Sequence, residues 1–111
     1  MQRSRNSYLD EWEIASVADE VTSQLAPDVI FVGYRIGQDS VGDPAIFFRV
    51  VMSDEACLPN RILDAAKRLE EALEGRLQPY QRWGLYPYFR YRSASEQAED
   101  GDPAWQRNVF A

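Results

Sequence analysis

Residues 29–52 read VIFVGYRIGQDSVGDPAIFFRVVM and contain two apolar runs separated by a polar, glycine-containing segment. From Val29 to Ile36 the side chains are mostly β-branched or aromatic, and Ala45 to Met52 forms a second apolar run. Between them, residues 37–44 supply the Gly, Asp and Pro that are typical of turns. The stretch therefore predicts a β-hairpin with a long loop.

Helical patterns flank the hairpin on both sides. Residues 8–25 carry apolar side chains at helical spacing with acidic residues between them, Ser7 stands at the N-cap position, and Pro27 ends the pattern. After the hairpin, Pro59 suits the first turn of a second helix. The buried stripe of that helix is expected to consist of Ile62, Ala66, Leu69, Leu73 and Leu77. Two amphipathic helices are therefore predicted.

The remaining chain predicts a third strand and a tail. Residues 84–92, GLYPYFRYR, alternate well enough for a strand, and Pro87 places it at a sheet edge because proline cannot donate to a β-ladder. Residues 93–111 hold acids around a Gly-Asp-Pro turn and carry Trp105 and Phe110 near their end. We expect a short helix followed by an aromatic-ended tail.

The element order α-β-β-α-β predicts a two-layer α+β fold. Two helices would pack on one face of a three-stranded, mainly antiparallel sheet, with a helical or irregular C-terminal tail. Residues 1–92 would form the α+β domain. Residues 93–111 would form an acidic, aromatic-ended segment that docks on the domain or on a partner.

Composition excludes several functional classes. The 111 residues suffice for one domain, and a net charge of −6 disfavours binding to phosphate backbones unless the basic residues gather on one face. Cys57 is the only cysteine and histidine is absent, so an intramolecular disulfide and the commonest general base are both missing. No apolar run is long enough for a signal peptide or a membrane span. We therefore expect a cytoplasmic chain without membrane contact, cofactor or metal, and a non-catalytic role more than an enzymatic one.

Strand alternation assigns a face to each side chain of the sheet. The side toward the helices is expected to hold Ile30, Val32, Tyr34, Ile36, Ile46, Phe48, Val50 and Met52. The opposite side is expected to hold Phe31, Arg35, Phe47, Arg49, Val51, Tyr86, Tyr88, Arg90 and Arg92. The second set predicts a sheet face of aromatics and arginines.

This face has three alternative interpretations. The C-terminal segment could cover it with Trp105 and Phe110, because large apolar patches are rarely left bare. It could instead bind a protein partner or a second copy of the chain, since Tyr, Trp and Arg are enriched at binding hot spots. It could also stack RNA bases, which the net charge disfavours. We favour a non-catalytic interaction module, or a small accessory subunit of a bacterial-type cytoplasmic complex, that binds through Arg35, Phe47, Arg49, Tyr86, Tyr88, Arg90 and Trp105.

Acidic groups and the hairpin loop supply weaker candidates. The loop residues Asp39, Ser40 and Asp43 have the composition of a phosphate-cradling turn but match no phosphate-binding motif, so a plain hairpin connection is favoured. Asp28, Asp54 and Glu55 are better placed to hold a divalent cation than the loop acids Asp39 and Asp43. Acids at strand ends, however, usually only solvate a loop. Cys57 precedes the second helix, whose start would stabilise a thiolate, but a partly buried residue that acts as a small apolar side chain is favoured.

Two family resemblances are limited to parts of the pattern. The Gly- and Ser-containing turn after a strand resembles that of the small nucleotidyltransferases found as antitoxins, which implies nucleotide binding. In that family two acids follow about ten residues later, where this chain has Phe47, Phe48 and Arg49. The resemblance therefore implies at most a degenerate, nucleotide-binding relative. The element order is also similar to the second type of KH fold, but the clamping G-x-x-G loop is absent.

Overall fold

The computed structural model describes residues 8–106. In chain order its elements are helix α1 (Glu11–Gln24), strands β1 (Val29–Gln38) and β2 (Pro44–Met52), helices α2 (Ile62–Leu77) and α3 (Pro79–Trp83), strand β3 (Tyr86–Ser93), helix α4 (Ala94–Asp100) and a 3-10 helix (Pro103–Trp105). The predicted α+β fold and its order α-β-β-α-β are confirmed, with α3 as an addition. None of the described helices combines the length and apolar character that crossing a membrane requires.

The sheet is mixed and has the order β1-β2-β3. Strands β1 and β2 form the predicted antiparallel hairpin, whereas β3 pairs parallel to β2. The pairing is parallel because α2 and α3 form a crossover that returns the chain to the end of the sheet where β2 began. Strand β3 lies at an edge, as Pro87 predicts.

The core lies between the two long helices and one face of the sheet. Helix α1 buries Ile14, Val17, Ala18 and Val21, and α2 buries Ala65, Leu69, Leu73 and Leu77. From the sheet the same core receives Val29, Val32, Tyr34, Ile46, Phe48, Val50 and Met52. The predicted packing of both helices on one sheet face is therefore confirmed.

Strand alternation fails at the start of β1. Ile30, expected in the core, is 51% exposed, and Val29 is buried in its place. The pairing of β1 with β2 changes register between Val29 and Phe31. Such a bulge reverses the side that a residue faces, so strict alternation cannot be extended through it.

Both long helices begin at residues other than those predicted. The N-cap of α1 is Asp10, whose Oδ1 accepts hydrogen bonds from the backbone N–H groups of Trp12 and Glu13. The predicted cap, Ser7, lies outside the described residues. Helix α2 begins at Ile62 and not at Pro59, because residues 53–61 form consecutive turns with their own backbone hydrogen bonds.

Helix α3 follows α2 after a sharp change of direction. Gln78 adopts a left-handed conformation with φ of 45°, Pro79 begins α3, and Gly84 ends it with φ of 71°. Proline at the start and glycine after the end are favoured positions for these residues in helices. The turn places α3 beside the beginning of β3.

Candidate functional site: the outer face of the sheet

The outer face is the side of the sheet that points away from α1 and α2. The strand register arranges its side chains in rows across the sheet. The rows are Phe31–Val51–Arg92, Gly33–Arg49–Arg90, Arg35–Phe47–Tyr88 and Gly37–Ala45–Tyr86. The aromatic and arginine residues that alternation predicts for this side therefore do share one surface.

The first of these rows is covered by the C-terminal segment. Trp105 is only 4% exposed, and the guanidinium carbon of Arg92 lies 4.3 Å from the centre of its ring. Arg92 also donates to Gln97 Oε1 at 2.9 Å and to Asp100 Oδ2 at 2.7 Å. Trp105 is thus buried within the chain, and its ring offers little surface to a partner. Phe110, the other aromatic predicted to cover this face, lies outside the described residues.

Helix α4 is fixed to the end of the sheet by hydrogen bonds. Ser93 and Glu96 form a reciprocal capping box at its start. The Asp54 carboxylate accepts hydrogen bonds from the backbone N–H and the hydroxyl of Ser95. These bonds lower the pKa of Asp54, and the bond from the Ser95 hydroxyl has the largest effect. The cover over the first row is therefore attached at both α4 and Trp105.

The row Arg35–Phe47–Tyr88 remains accessible. The guanidinium carbon of Arg35 lies 4.5 Å from the Phe47 ring centre, and the Phe47 and Tyr88 rings stack with centres 5.5 Å apart. Tyr86 and Tyr88 are 41% and 42% exposed. This row presents flat π surfaces in fixed orientations beside a cation.

The adjacent row brings two like charges together. Arg49 and Arg90 are register partners on neighbouring strands and point to the same side. Within residues 8–106, neither of them, nor Arg35, forms an ion pair. Like charges directly opposite each other in a sheet are destabilising. The open part of the outer face is therefore positively charged in a chain whose net charge is −6.

The hairpin loop uses its acidic groups to hold its own conformation. Asp39 Oδ1 accepts from the backbone N–H of Val41 at 3.1 Å and of Asp43 at 2.9 Å, and Oδ2 accepts from the Tyr88 hydroxyl at 2.8 Å. These bonds lower the pKa of Asp39, and the bond from Tyr88 has the largest effect. Ser40 lies exposed at the tip. The loop is thus a hairpin connection, and Asp39 links it to the outer face.

Replacing Tyr88 by phenylalanine is expected to raise the pKa of Asp39 toward its ordinary value of 3.8, because the strongest hydrogen bond to the carboxylate is lost. A carboxyl NMR titration of the wild type and the Tyr88→Phe variant measures this change. Tyr86→Phe on the same strand is the control and should leave the pKa of Asp39 unchanged. An unchanged Asp39 pKa in Tyr88→Phe would show that this bond is absent in solution.

The predicted acidic cluster does not form a cation site. Asp28 Oδ2 is bound by Arg61 at 2.7 Å and by Arg68 at 3.3 Å, whereas Asp54 bonds Ser95. Between Tyr8 and Gln106 there is no group of three or more His, Cys, Asp or Glu side chains that could hold a metal ion. Asp28 instead attaches the start of β1 to α2.

The thiol of Cys57 is not activated as its sequence position suggests. The pKa of the thiol is raised mainly by burial, and the charges of Glu96 and Asp54 raise it further. Helix α2 begins only at Ile62, so the helix start that would stabilise a thiolate is not adjacent to the sulfur. The thiolate form is therefore disfavoured.

A small pocket beside the outer face was not predicted from the sequence. Its volume is about 270 Å³, and it is lined by Asp43, Pro44, Tyr80, Trp83, Gly84 and Tyr86. The segment QPYQRWG (78–84) contains the signal that could have found it. Pro79 and Gly84 bracket a short helix, and that helix places Tyr80 and Trp83 one turn apart.

Comparisons with known proteins identify no family for this chain. No family model matches it, and no curated protein matches it. A solved structure titled as the copper form of the MamM CTD resembles it with a TM-score of 0.53 and 15% sequence identity. The alignment covers 90% of this chain and 92% of that one. At this identity the likeness is one of fold, and the chain shares the fold of the MamM CTD.

Proposed function

We propose that the chain is a non-catalytic interaction module whose outer face binds a protein partner that carries acidic side chains. The observation that carries this proposal is the pair Arg49 and Arg90, which lie side by side without an ion pair among the described residues. Their repulsion weakens the isolated sheet. A carboxylate placed between the two guanidinium groups would turn that repulsion into two charge-assisted hydrogen bonds.

The neighbouring row supports the same conclusion. Arg35, Phe47 and Tyr88 already form an ordered stack. Binding a partner would therefore cost this chain little side-chain conformational entropy. Tyr and Arg dominate binding hot spots, and a few such residues supply most of the binding energy of an interface. The covered row around Trp105 would form one rim of this interface. We therefore assign binding to Arg35, Phe47, Arg49, Tyr86, Tyr88 and Arg90.

The charge distribution favours a different chain over a second copy as the partner. A twofold dimer through the outer face would pair the same surface of both chains and so bring two positively charged faces together. An acidic partner would instead be steered toward this face by its positive potential. A homo-oligomer through this face is therefore the less favourable form of the interaction module, and light scattering distinguishes it from a monomer of 12.8 kDa.

Copper has no part in this proposal. The MamM CTD structure is a copper form, but the present chain contains no histidine, which is the commonest metal ligand. The two chains share a fold, and in the present chain α1 and α2 cover one sheet face and leave part of the other available.

The test places an aromatic photo-crosslinking amino acid at Tyr86, which leaves Arg49 and Arg90 in place, and, as control, at Glu71 on the exposed side of α2. We expect a defined protein crosslink from position 86 only. With the purified partner, Arg49→Ala and Tyr88→Ala should each weaken the affinity at least about tenfold, which is about 1.4 kcal/mol, and Glu71→Ala should not. Unchanged affinity in both outer-face variants would contradict the proposal.

RNA is the second candidate ligand, because stacked rings beside unpaired arginines also suit unpaired bases. The overall charge of −6 opposes it. The same crosslinking experiment separates the two candidates, since an RNA ligand would leave nucleotides and not peptides attached at position 86. Such a result would replace the protein partner by RNA at the same residues.

A further inference from the structure

The pocket between the hairpin loop and α3 has an unusual combination of walls. Three of its lining residues are aromatic, Tyr80 and Trp83 from α3 and Tyr86 from β3, and Asp43 from the loop adds a carboxylate. At about 270 Å³ it lies just below the volumes of drug-sized ligand sites, so it suits a small ligand. Of the outer-face residues that we assign to binding, it includes only Tyr86. The pocket and the proposed protein interface therefore share only this residue.

The aromatic walls are held in place before any ligand binds. The Tyr80 and Tyr86 rings stack with centres 4.8 Å apart. The Trp83 ring is contacted by the Arg82 guanidinium at 4.4 Å, and its Nε1 donates to the carbonyl oxygen of Tyr8 at 3.1 Å. Arg82 is itself fixed by two hydrogen bonds to the Glu13 carboxylate, at 2.7 and 2.8 Å. The pocket is thus preorganised.

Asp43 supplies an available negative charge at the pocket wall. Its backbone N–H bonds Asp39, but its carboxylate has no hydrogen bond or ion pair with any side chain or backbone group in the described part of the chain. The charges of Asp39 and Asp43 also contribute to raising the pKa of Tyr88, after the hydrogen bond from Tyr88 to Asp39 and burial. The negative charge of the loop therefore acts on β3, the strand that also carries Tyr86.

We propose that this pocket binds a quaternary ammonium group. Aromatic ring faces attract cations, and aromatic cages are a known solution for ammonium ions that have no hydrogen-bond donors. The Asp43 carboxylate would neutralise the ligand charge. A bare divalent cation fits less well, because it needs six or more oxygen ligands and the pocket wall supplies one carboxylate.

The first experiment compares choline with its uncharged isostere 3,3-dimethylbutan-1-ol by NMR titration of the full chain. We expect choline to shift the Trp83 indole resonance with millimolar affinity, and the isostere to bind at least about fivefold more weakly, because only the charge differs. Equal affinities for the two compounds, or no shift at Trp83 up to saturating choline, would overturn the proposal.

Matched variants locate the site. Tyr80→Ala and Asp43→Asn should each weaken choline binding at least about fivefold, since each removes one wall of the cage. Asp19→Asn on the exposed side of α1 and Glu71→Gln on the exposed side of α2 are controls that should leave choline binding unchanged. Circular dichroism verifies that each variant is folded. Loss of choline binding in the controls, or full retention in both pocket variants, would place the site elsewhere.

A further arm distinguishes the two sources of such a group. Short peptides with trimethyllysine or unmodified lysine are titrated in the same way. A trimethyllysine peptide that binds at least tenfold more tightly than choline would identify a modified protein tail as the source. Choline affinity equal to or above that of the peptide would identify a small molecule. Preference for unmodified lysine over both would overturn the assignment of a quaternary ammonium group.

Discussion

Replacing Phe48 by alanine is expected to lower the free energy of unfolding by about 3–5 kcal/mol. Phe48 is 1% exposed, lies on the helix-facing side of the central strand and stacks on Phe89 with ring centres 5.0 Å apart. Truncation removes this apolar burial and leaves a cavity that the surrounding helices can fill only in part. Urea denaturation monitored by circular dichroism measures the loss.

The adjacent Phe47 provides a matched control. It has the same chemistry on the same strand but points to the outer face, where its ring is half-buried between Arg35 and Tyr88. We expect Phe47→Ala to cost about 1–2 kcal/mol, because less of its surface is buried. Equal losses for the two variants would contradict the assignment of one core face and one open face to this sheet.

Replacing Trp105 by alanine is expected to cost about 3 kcal/mol, at the lower end for buried aromatic residues. The buried ring would be lost together with its cation–π contact to Arg92, while Arg92 keeps its hydrogen bonds to Gln97 and Asp100. Equilibrium denaturation of the variant gives the loss, and amide hydrogen exchange at Val51 should become faster.

The control for this change is Trp12→Ala. Trp12 is 75% exposed, so its truncation should cost about 1 kcal/mol or less. If Trp105→Ala costs no more than Trp12→Ala, the C-terminal segment does not cover the sheet in solution. The whole outer face, including Val51, would then be open.

Hydrophobic periodicity predicts most of this fold because the core is built from regular elements. The stripe from Leu69 to Leu77 and the alternation from Val32 to Met52 both correspond to buried side chains. The predicted core position of Ile30 is wrong because of a bulge. A bulge depends on how two strands pair, and the periodicity of one strand does not reveal it. The direction of β3 likewise depends on the crossover through α2 and α3 and not on its own residues.

The two sites differ in how far the sequence reveals them. Arg35, Phe47, Arg49, Tyr88 and Arg90 share a face because alternation is regular there, although their binding to a partner stays a prediction. The pocket is different, since its walls come from three separate elements. A five-residue helix has no apolar stripe to recognise, and the left-handed turn at residue 78 that positions it leaves only a weak local signal.

The contacts of Trp83 connect the pocket wall to Tyr8 and to the first turn of α1. Its indole N–H bonds the Tyr8 carbonyl, and the guanidinium lying on its ring is held by Glu13, which is 69 residues from Arg82 in sequence. A change at Tyr8 or Glu13 would therefore alter the pocket wall, although neither residue lines the pocket. Ligand measurements should therefore be made on a chain in which Tyr8 and Glu13 are intact.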